Sequence, residues 1–190
     1  LLKGVNDNPN VMKKLMQKKI TAVAWEHISD EEGIFPVVRS MGEIAGTSSI
    51  LIAAEYLSKT NNGKGMIMGG VAGITPTEIV VLGAGTVGEY ATRSALGLGA
   101  TVKIFDSSLY RLRRLQNDLG MRVNTSILQP RVIEKALKTA DVVIGAIRGK
   151  AGRTPCVVTE TMIEGMKEGS VLIDISIDQG GCFETSRVTN

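Results

Sequence analysis

The chain has 190 residues, 43% hydrophobic, 22% charged and 4% aromatic, with a formal net charge of +3. That length holds one good hydrophobic core and part of a second, and the composition is that of an ordinary globular protein. The mild basic excess has no dense Lys/Arg run and few aromatic residues beside it, which excludes a nucleic-acid role; no apolar stretch reaches the roughly 18–20 residues needed to span a bilayer.

No segment reads as a signal peptide. The two cysteines, Cys156 and Cys182, lack metal-ligand spacing. They are expected as buried reduced thiols, with no metal site, and a cytoplasmic location fits. The chain starts at Leu1 without a methionine and stops at Asn190 just after a motif, so a piece of a longer protein is expected.

The first 35 or so residues differ in character from the rest. Val11 to Lys19 is a Lys-rich helix candidate, and "ITAVAWEHI" (20–28) reads as a short apolar strand. "SDEEGIFP" is a turn broken by Gly33 and Pro36. From Met41 a helix is expected, with Ile44, Ser48, Leu51, Ile52 and Tyr56 at helical spacing. "TNNGKGMIMGGVAGITP" is a Gly- and Asn-rich loop, long enough to suggest function.

Regular alternation follows. "EIVVLG" is a buried strand, Thr86 to Leu98 a helix with Val87, Ala91, Ala95 and Leu98 on one face, and "TVKIFD" a second strand. Leu109, Leu112, Leu115 and Leu119 form a leucine face, with Arg111, Arg113 and Arg114 expected toward solvent. "MRVNT" is a third strand, Val132 to Ala140 a helix, "DVVIGAI" a fourth strand, Thr159 to Met166 a short helix and "SVLIDIS" a fifth strand. Strands alternating with helices imply an α/β fold: a doubly wound parallel sheet of the Rossmann, dinucleotide-binding type, preceded by a short piece of a second domain. The boundary is placed at residue 40, with 1–40 as the remnant and 41–190 as the dinucleotide domain.

The stretch "VVLGAGTVGEYATRSALGLGATVKIFD" carries the chemistry. A GxGxxG pattern alone is weak, but this one follows a strand, opens a helix and is trailed about 20 residues later by Asp106. Gly83 permits the tight turn, Gly85 lets a pyrophosphate approach the backbone, and Gly88 lets helix and strand pack closely. The helix start offers N–H groups and a positive dipole end. Asp106 accepts ribose hydroxyls and repels a 2′-phosphate, which argues for NAD; Arg111 nearby argues the other way, since an arginine hosts that phosphate. The alternative is glycines that only pack a turn.

In a doubly wound fold, ligands sit beyond the carboxyl ends of the strands. That rule points to Gly145–Ile147, to Ile177–Gly181 and to the Gly69–Gly73 loop. Asp178 is the carboxylate expected at the nicotinamide end, against the alternative of a turn residue before Gly180 and Gly181. Asp174, inside the fifth strand, reads as a satisfied buried polar group. His27, the single histidine, lies far upstream of these motifs and reads as structural or solvated.

"MGEIAG", "GKGMIMGGVAGITP", the glycine stretch, "ADVVIGAI" and "GSVLIDISIDQGGCFETSR" run in order over about residues 41–187. Together they resemble the alanine dehydrogenase and nicotinamide nucleotide transhydrogenase family, with "IDQGGCFETSR" the most specific piece. The transhydrogenase branch tends to have glutamate in place of Asp178, in a block ending "EQGGN", so the Asp and Cys here favour the alanine dehydrogenase branch. The resemblance implies NAD as cofactor and oxidative deamination of L-alanine to pyruvate and ammonia. It further implies that Gly83, Gly85, Thr86, Val87 and Gly88 cradle the pyrophosphate, and that Asp106 holds the adenosine ribose with Arg111 beside it. Ala146 and Ile147 would contact the adenosine side. Ile175, Ile177 and Asp178 would lie against the nicotinamide ribose, with Asp178 also catalytic and Arg187 near the cofactor. Full-length members are often hexamers, so a homo-oligomer is implied, with no membrane or nucleic-acid partner.

One departure stands out. The family usually shows "MSE" where this chain has Met41, Gly42 and Glu43, so a serine contact to the cofactor is lost. The family's carboxylate-binding Arg and Lys and its catalytic His belong to an N-terminal segment that this chain starts after. It also stops before the C-terminal helices that complete the substrate domain. The chain is therefore expected to bind NAD(H) but to be nearly inactive alone. Two alternatives are a transhydrogenase subunit and a non-catalytic nucleotide-sensing module; another amino-acid dehydrogenase, acting on saccharopine for instance, is a third.

Overall fold

A computed structural model describes residues 9–149 and 153–188. The chain forms two compact units, Leu1–Gly42 and Glu43–Asn190.

In the first unit, α1 (Pro9–Gln17) is amphipathic but buries no residue. "ITAVAWEHI" is not a strand: it is extended chain leading into a single 3₁₀ turn, Trp25–His27. A short apolar run becomes a strand only where a neighbouring strand takes its backbone hydrogen bonds, and among the described residues no strand pairs with this run. His27 is exposed on that turn. The following turn is closed by Asp30, whose carboxylate accepts from the Ile34 N–H at 2.7 Å.

Helix α2 (Pro36–Leu57) starts five residues earlier than expected, with Pro36 at its first position. In the second unit its buried stripe is Gly46, Ser49, Ile50, Ala53 and Leu57. The expected stripe is the exposed one, with Ile44, Leu51, Ile52 and Tyr56 between 42% and 66% accessible. The helix is apolar on both sides, so periodicity could not choose between them. Close packing does: a side chain on Gly46 would strike the Val87 carbonyl.

The sheet is built from β1 (Glu78–Leu82), β2 (Thr101–Asp106), β3 (Asn124–Ile127), β4 (Val142–Gly145) and β5 (Val171–Asp174). All pairs are parallel, in the order β3-β2-β1-β4-β5. The connecting helices are α3 (Thr86–Gly97), α4 (Leu109–Leu119), α5 (Pro130–Leu137) and α6 (Glu160–Glu164). The third strand lies three residues later than expected, because Gln116 of α4 donates to the Val123 carbonyl at 3.2 Å and holds the entering chain off the sheet edge.

Core residues divide by sheet face. Ile79, Val81, Ile104 and Ile144 pack with Ile50, Ala91, Ala95, Leu112 and Leu115 on one side. Val80, Leu82, Phe105 and Val143 pack with Ile133, Leu137, Val158 and Phe183 on the other. Alternate strand residues thus feed two cores, which is why the strands read as unbroken apolar runs.

The Gly69–Gly73 loop sits at the amino end of β1, which corrects its expected place beside the ligand edge. Its Gly70 N–H reaches the Leu98 carbonyl at 3.3 Å, and Gly69 bonds Thr77 just before β1. Gly69 has φ of 113°, and a side chain there would strike the Leu98 carbonyl, so this loop packs under the end of α3. A segment that precedes a parallel strand enters the sheet at its amino edge. No helix among the described residues is long and apolar enough to cross a membrane.

Candidate functional site

The carboxyl ends of β1, β2, β4 and β5 lie side by side, because Leu82 pairs with Phe105 and Gly145, and Gly145 pairs with Asp174. Chain direction around the sheet reverses between β1 and β4, the point where doubly wound folds open a ligand crevice. Four segments converge there: the glycine turn, the end of β2, Gly145–Ile147, and the chain after Asp174.

The glycine turn is fixed from both sides. The Gly83 N–H donates to the Phe105 carbonyl at 2.6 Å, and the Ala146 N–H donates to the Leu82 carbonyl at 2.8 Å. Gly83 has φ of 111°, and a side chain there would strike the Ala146 carbonyl. A side chain on Gly88 would strike the Gly83 carbonyl, so the first turn of α3 rests directly on the end of β1. Gly85 differs. It caps α3 at φ −82° and ψ −170°, and a Cβ there meets nothing within 4 Å. Backbone geometry therefore does not require glycine at this position, while the space before it stays open. Thr86 and Val87, both half-buried, begin α3 and carry N–H groups with no carbonyl four residues back in the helix.

Asp106 is 4% exposed. Its Oδ2 accepts from the Ala84 N–H and its Oδ1 from the Ser108 N–H, both at 2.7 Å. One carboxylate thus joins the glycine turn to the β2–α4 turn. The Arg111 guanidinium stands 3.8 Å from Oδ2. Arg111 and Arg113 are exposed as expected and Arg114 is half-buried, and two of them also reach acids: Arg111 to Asp106, and Arg114 to Glu89 (3.7 Å) and Asp118 (3.5 Å).

Glu89 escaped the sequence reading. It lies buried in the first turn of α3, where a bare carboxylate would oppose a bound phosphate. Arg93 donates to its Oε1 at 2.9 Å, and Arg114 faces its Oε2. The i, i+4 spacing of Glu89 and Arg93 was the visible signal.

On the other side of the crevice, Ala146 and Ile147 follow β4, half-buried. The Ile147 carbonyl accepts from Ser176 Oγ at 2.8 Å and from Thr154 Oγ1 at 3.2 Å. The Ile175 N–H donates to the Gly145 carbonyl at 2.9 Å. Ile177, Asp178 and Gln179 form a 3₁₀ turn closed by Gly180 in a left-handed conformation, with Asp178 exposed. Arg187 is also exposed, near the end of the described chain.

Asp174 accepts hydrogen bonds from the N–H groups of Ser176, Cys182 and Phe183 and from Ser186 Oγ, as a satisfied polar group should. Cys182 is buried, and burial, with the Asp174 charge beside it, pushes its thiol up to about 12. Cys156 is exposed, contrary to expectation. It lies in loop chain ahead of the Val158 bridge to Phe183, at the surface of the second core. Among the described residues no cluster of His, Cys, Asp or Glu could hold a metal ion.

A family model described as "Alanine dehydrogenase/PNT, C-terminal domain" matches residues 49–190. The chain belongs to this family. It is the family's C-terminal, NAD-binding Rossmann domain. An alanine dehydrogenase of Mycolicibacterium smegmatis is 43% identical over 175 residues, 92% of this chain and 47% of the relative. A solved L-alanine dehydrogenase superposes with a TM-score of 0.91 at 36% identity, covering 98% of this chain and 52% of that one. A transhydrogenase from Sinorhizobium meliloti superposes with a TM-score of 0.65 at 26% identity, covering 80% of this chain and 43% of that one. The chain spans about half the length of the curated relatives it matches.

The crevice fits a dinucleotide of this family. There is open space before Gly85, a helix N-terminus behind it, and a buried carboxylate beside it whose oxygens each have room in their acceptor capacity.

Proposed function

We propose that this chain is the cofactor domain of an L-alanine dehydrogenase, an enzyme that oxidises L-alanine by hydride transfer to NAD, with water replacing the amine to give pyruvate and ammonium. The observation that carries this reading is the pairing of an unobstructed Gly85 with Asp106 at the switch point of a sheet that overlays a solved L-alanine dehydrogenase. NAD would supply the hydride acceptor. The chain's own residues bind and orient it. N–H groups at Gly85, Thr86, Val87 and Gly88 would face the pyrophosphate, and Asp106 would accept from the adenosine ribose. Asp106 has its negative charge only 3.8 Å from Arg111, so the arginine's charge is already engaged. That supports NAD over its 2′-phosphorylated form. Ala146, Ile147, Ile175 and Ile177 would line the cleft, with Arg187 nearby. Asp178 would sit at the nicotinamide end as the catalytic carboxylate.

L-alanine, pyruvate and ammonium would be the partners of the full-length enzyme. The exposed apolar face of α2, with Ile44, Leu51, Ile52 and Tyr56, supports homo-oligomeric assembly. A cytoplasmic location is part of the same reading, as is a first unit that is a remnant of the substrate domain.

Calorimetric titration with NADH and then NADPH tests the cofactor. NADH should bind the tighter, and Asp106→Ala should cost roughly 1–3 kcal/mol of that binding; equal affinity in the variant would sink the ribose assignment. In the longer protein, Asp178→Asn should cut alanine-dependent turnover far more than it weakens NADH. Turnover left intact would reduce Asp178 to a turn residue. A longer protein that binds NADH without turning over alanine would favour the nucleotide-sensing alternative.

A further inference from the structure

Asp174 closes β5 and then becomes the template for the chain that follows it. Its Oδ2 accepts from Ser186 Oγ at 2.6 Å and from the N–H groups of Cys182 at 2.9 Å and Phe183 at 3.3 Å. Its Oδ1 accepts from the Ser176 N–H at 3.0 Å. The Cys182 thiol also donates to Oδ1, at 3.5 Å, and all five donors come from the eleven residues after Ile175. The wrap is tight, since a Cβ on Gly181 would lie 2.8 Å from Oδ2. Ser176 then carries the arrangement across the crevice through its hydroxyl, which donates to the Ile147 carbonyl. One carboxylate thereby sets the Ile177–Gln179 turn, which bears Asp178, and fixes its distance from Ala146 and Ile147. The glycine turn and Asp106 have separate anchors at Phe105, Ala84 and Ser108, and Ala146 and Ile147, on the adenosine side, keep their own bonds to Leu82 and Thr154.

We propose that Asp174 is a positioning residue for the nicotinamide-riboside half of the cofactor, and that the adenosine half does not depend on it. The proposal rests on the cofactor reading above. Asn at this position is nearly isosteric but must turn an amide NH₂ toward either the Ser176 N–H and Cys182 thiol at Oδ1 or the three donors at Oδ2.

The test is calorimetric titration of this chain, of Asp174→Asn and of Ser186→Ala with two probes, NADH and ADP. ADP shares the adenosine and pyrophosphate but lacks the nicotinamide riboside. The expected result is about a tenfold loss of NADH affinity in Asp174→Asn with ADP affinity unchanged. Unchanged ADP binding also shows that the variant is folded. Ser186→Ala removes one of the five bonds and should shift NADH alone, by about threefold. If Asp174→Asn loses both probes, Ser186→Ala decides: loss of NADH alone upholds the proposal, and equal loss of both overturns it. Unchanged NADH affinity in Asp174→Asn overturns it too, as does a parent chain that binds NADH no tighter than ADP. A parent chain that binds neither probe overturns the cofactor reading itself.

Discussion

Gly85 and Gly88 stand three residues apart in one motif and differ in what each would tolerate. A methyl group on Gly88 meets the Gly83 carbonyl, so Gly88→Ala must push α3 off β1. The cost should be about 2–3 kcal/mol, the range for overpacking a close contact. A methyl group on Gly85 meets no protein atom and its dihedrals suit any residue. Gly85→Ala should change stability by only a few tenths of a kcal/mol, up to ~1 if the cap weakens. It should nevertheless weaken NADH about tenfold or more by filling the approach to the pyrophosphate. Urea denaturation and calorimetry on the two variants separate the effects. An alanine at Gly85 that binds NADH normally would mean that the open space is not the cofactor's. At this scale the sequence was legible where residue type and local spacing carry the meaning, as at Gly83, Gly88 and Asp106. It was silent where the partner is remote. Nothing local reveals that Asp106 would reach the Ala84 N–H, or that Glu89 would be neutralised by Arg114 on the next helix.

Among the elements, the amino ends of the strands are tied by a second buried carboxylate. Asp141, just before β4, is 3% exposed. It accepts from the Glu78 N–H at 2.9 Å, from Lys64 at 2.7 Å and from Lys167 at 3.1 Å. It joins β1, β4, the loop before β1 and the turn into β5. Burial pushes its carboxyl up, but the two ammonium groups and the N–H outweigh that and hold it below the ordinary aspartate value. A group whose folded value is depressed contributes stability in full above its unfolded value and loses it as pH falls through the folded one. Asp141→Asn should therefore destabilise the chain at neutral pH by about 2 kcal/mol, less than the ~3–5 of a fully buried pair because both lysines are partly solvated. The difference between parent and variant should shrink as the pH drops below 3.8, the ordinary aspartate value. Denaturation midpoints over an acid series measure it, and a gap that stays constant would remove Asp141 from the account. Element types were readable because the strands are short β-branched runs and the helices carry caps such as Ser108 and Thr159. The face of α2 and the start of β3 were not. Both are decided by what packs against them, Gly46 under Val87 in one case and Gln116 over Val123 in the other.

For the molecule as a whole, parallel pairing and the site's edge followed from strand–helix alternation, since handed crossovers leave little choice. The Gly69–Gly73 loop was the exception. Its composition resembles a ligand loop, but its position before β1 consigns it to the far edge. The strand order has a further consequence, for the order of events in folding. Residues 78–127 can pair among themselves as β3-β2-β1. The β1–β4 ladder, Ile79 with Val142, must wait for one more crossover, through α5, and it forms the wall of the crevice. Contacts this distant along the chain pay their closure entropy late and fold in milliseconds to seconds. In stopped-flow refolding, NADH capture should thus appear only with the slowest phase that completes the sheet. On a ribosome, the chain would have no cofactor cleft until β4 had emerged: the half that carries the whole glycine motif and Asp106 would be recognisable in sequence and still blind to its ligand.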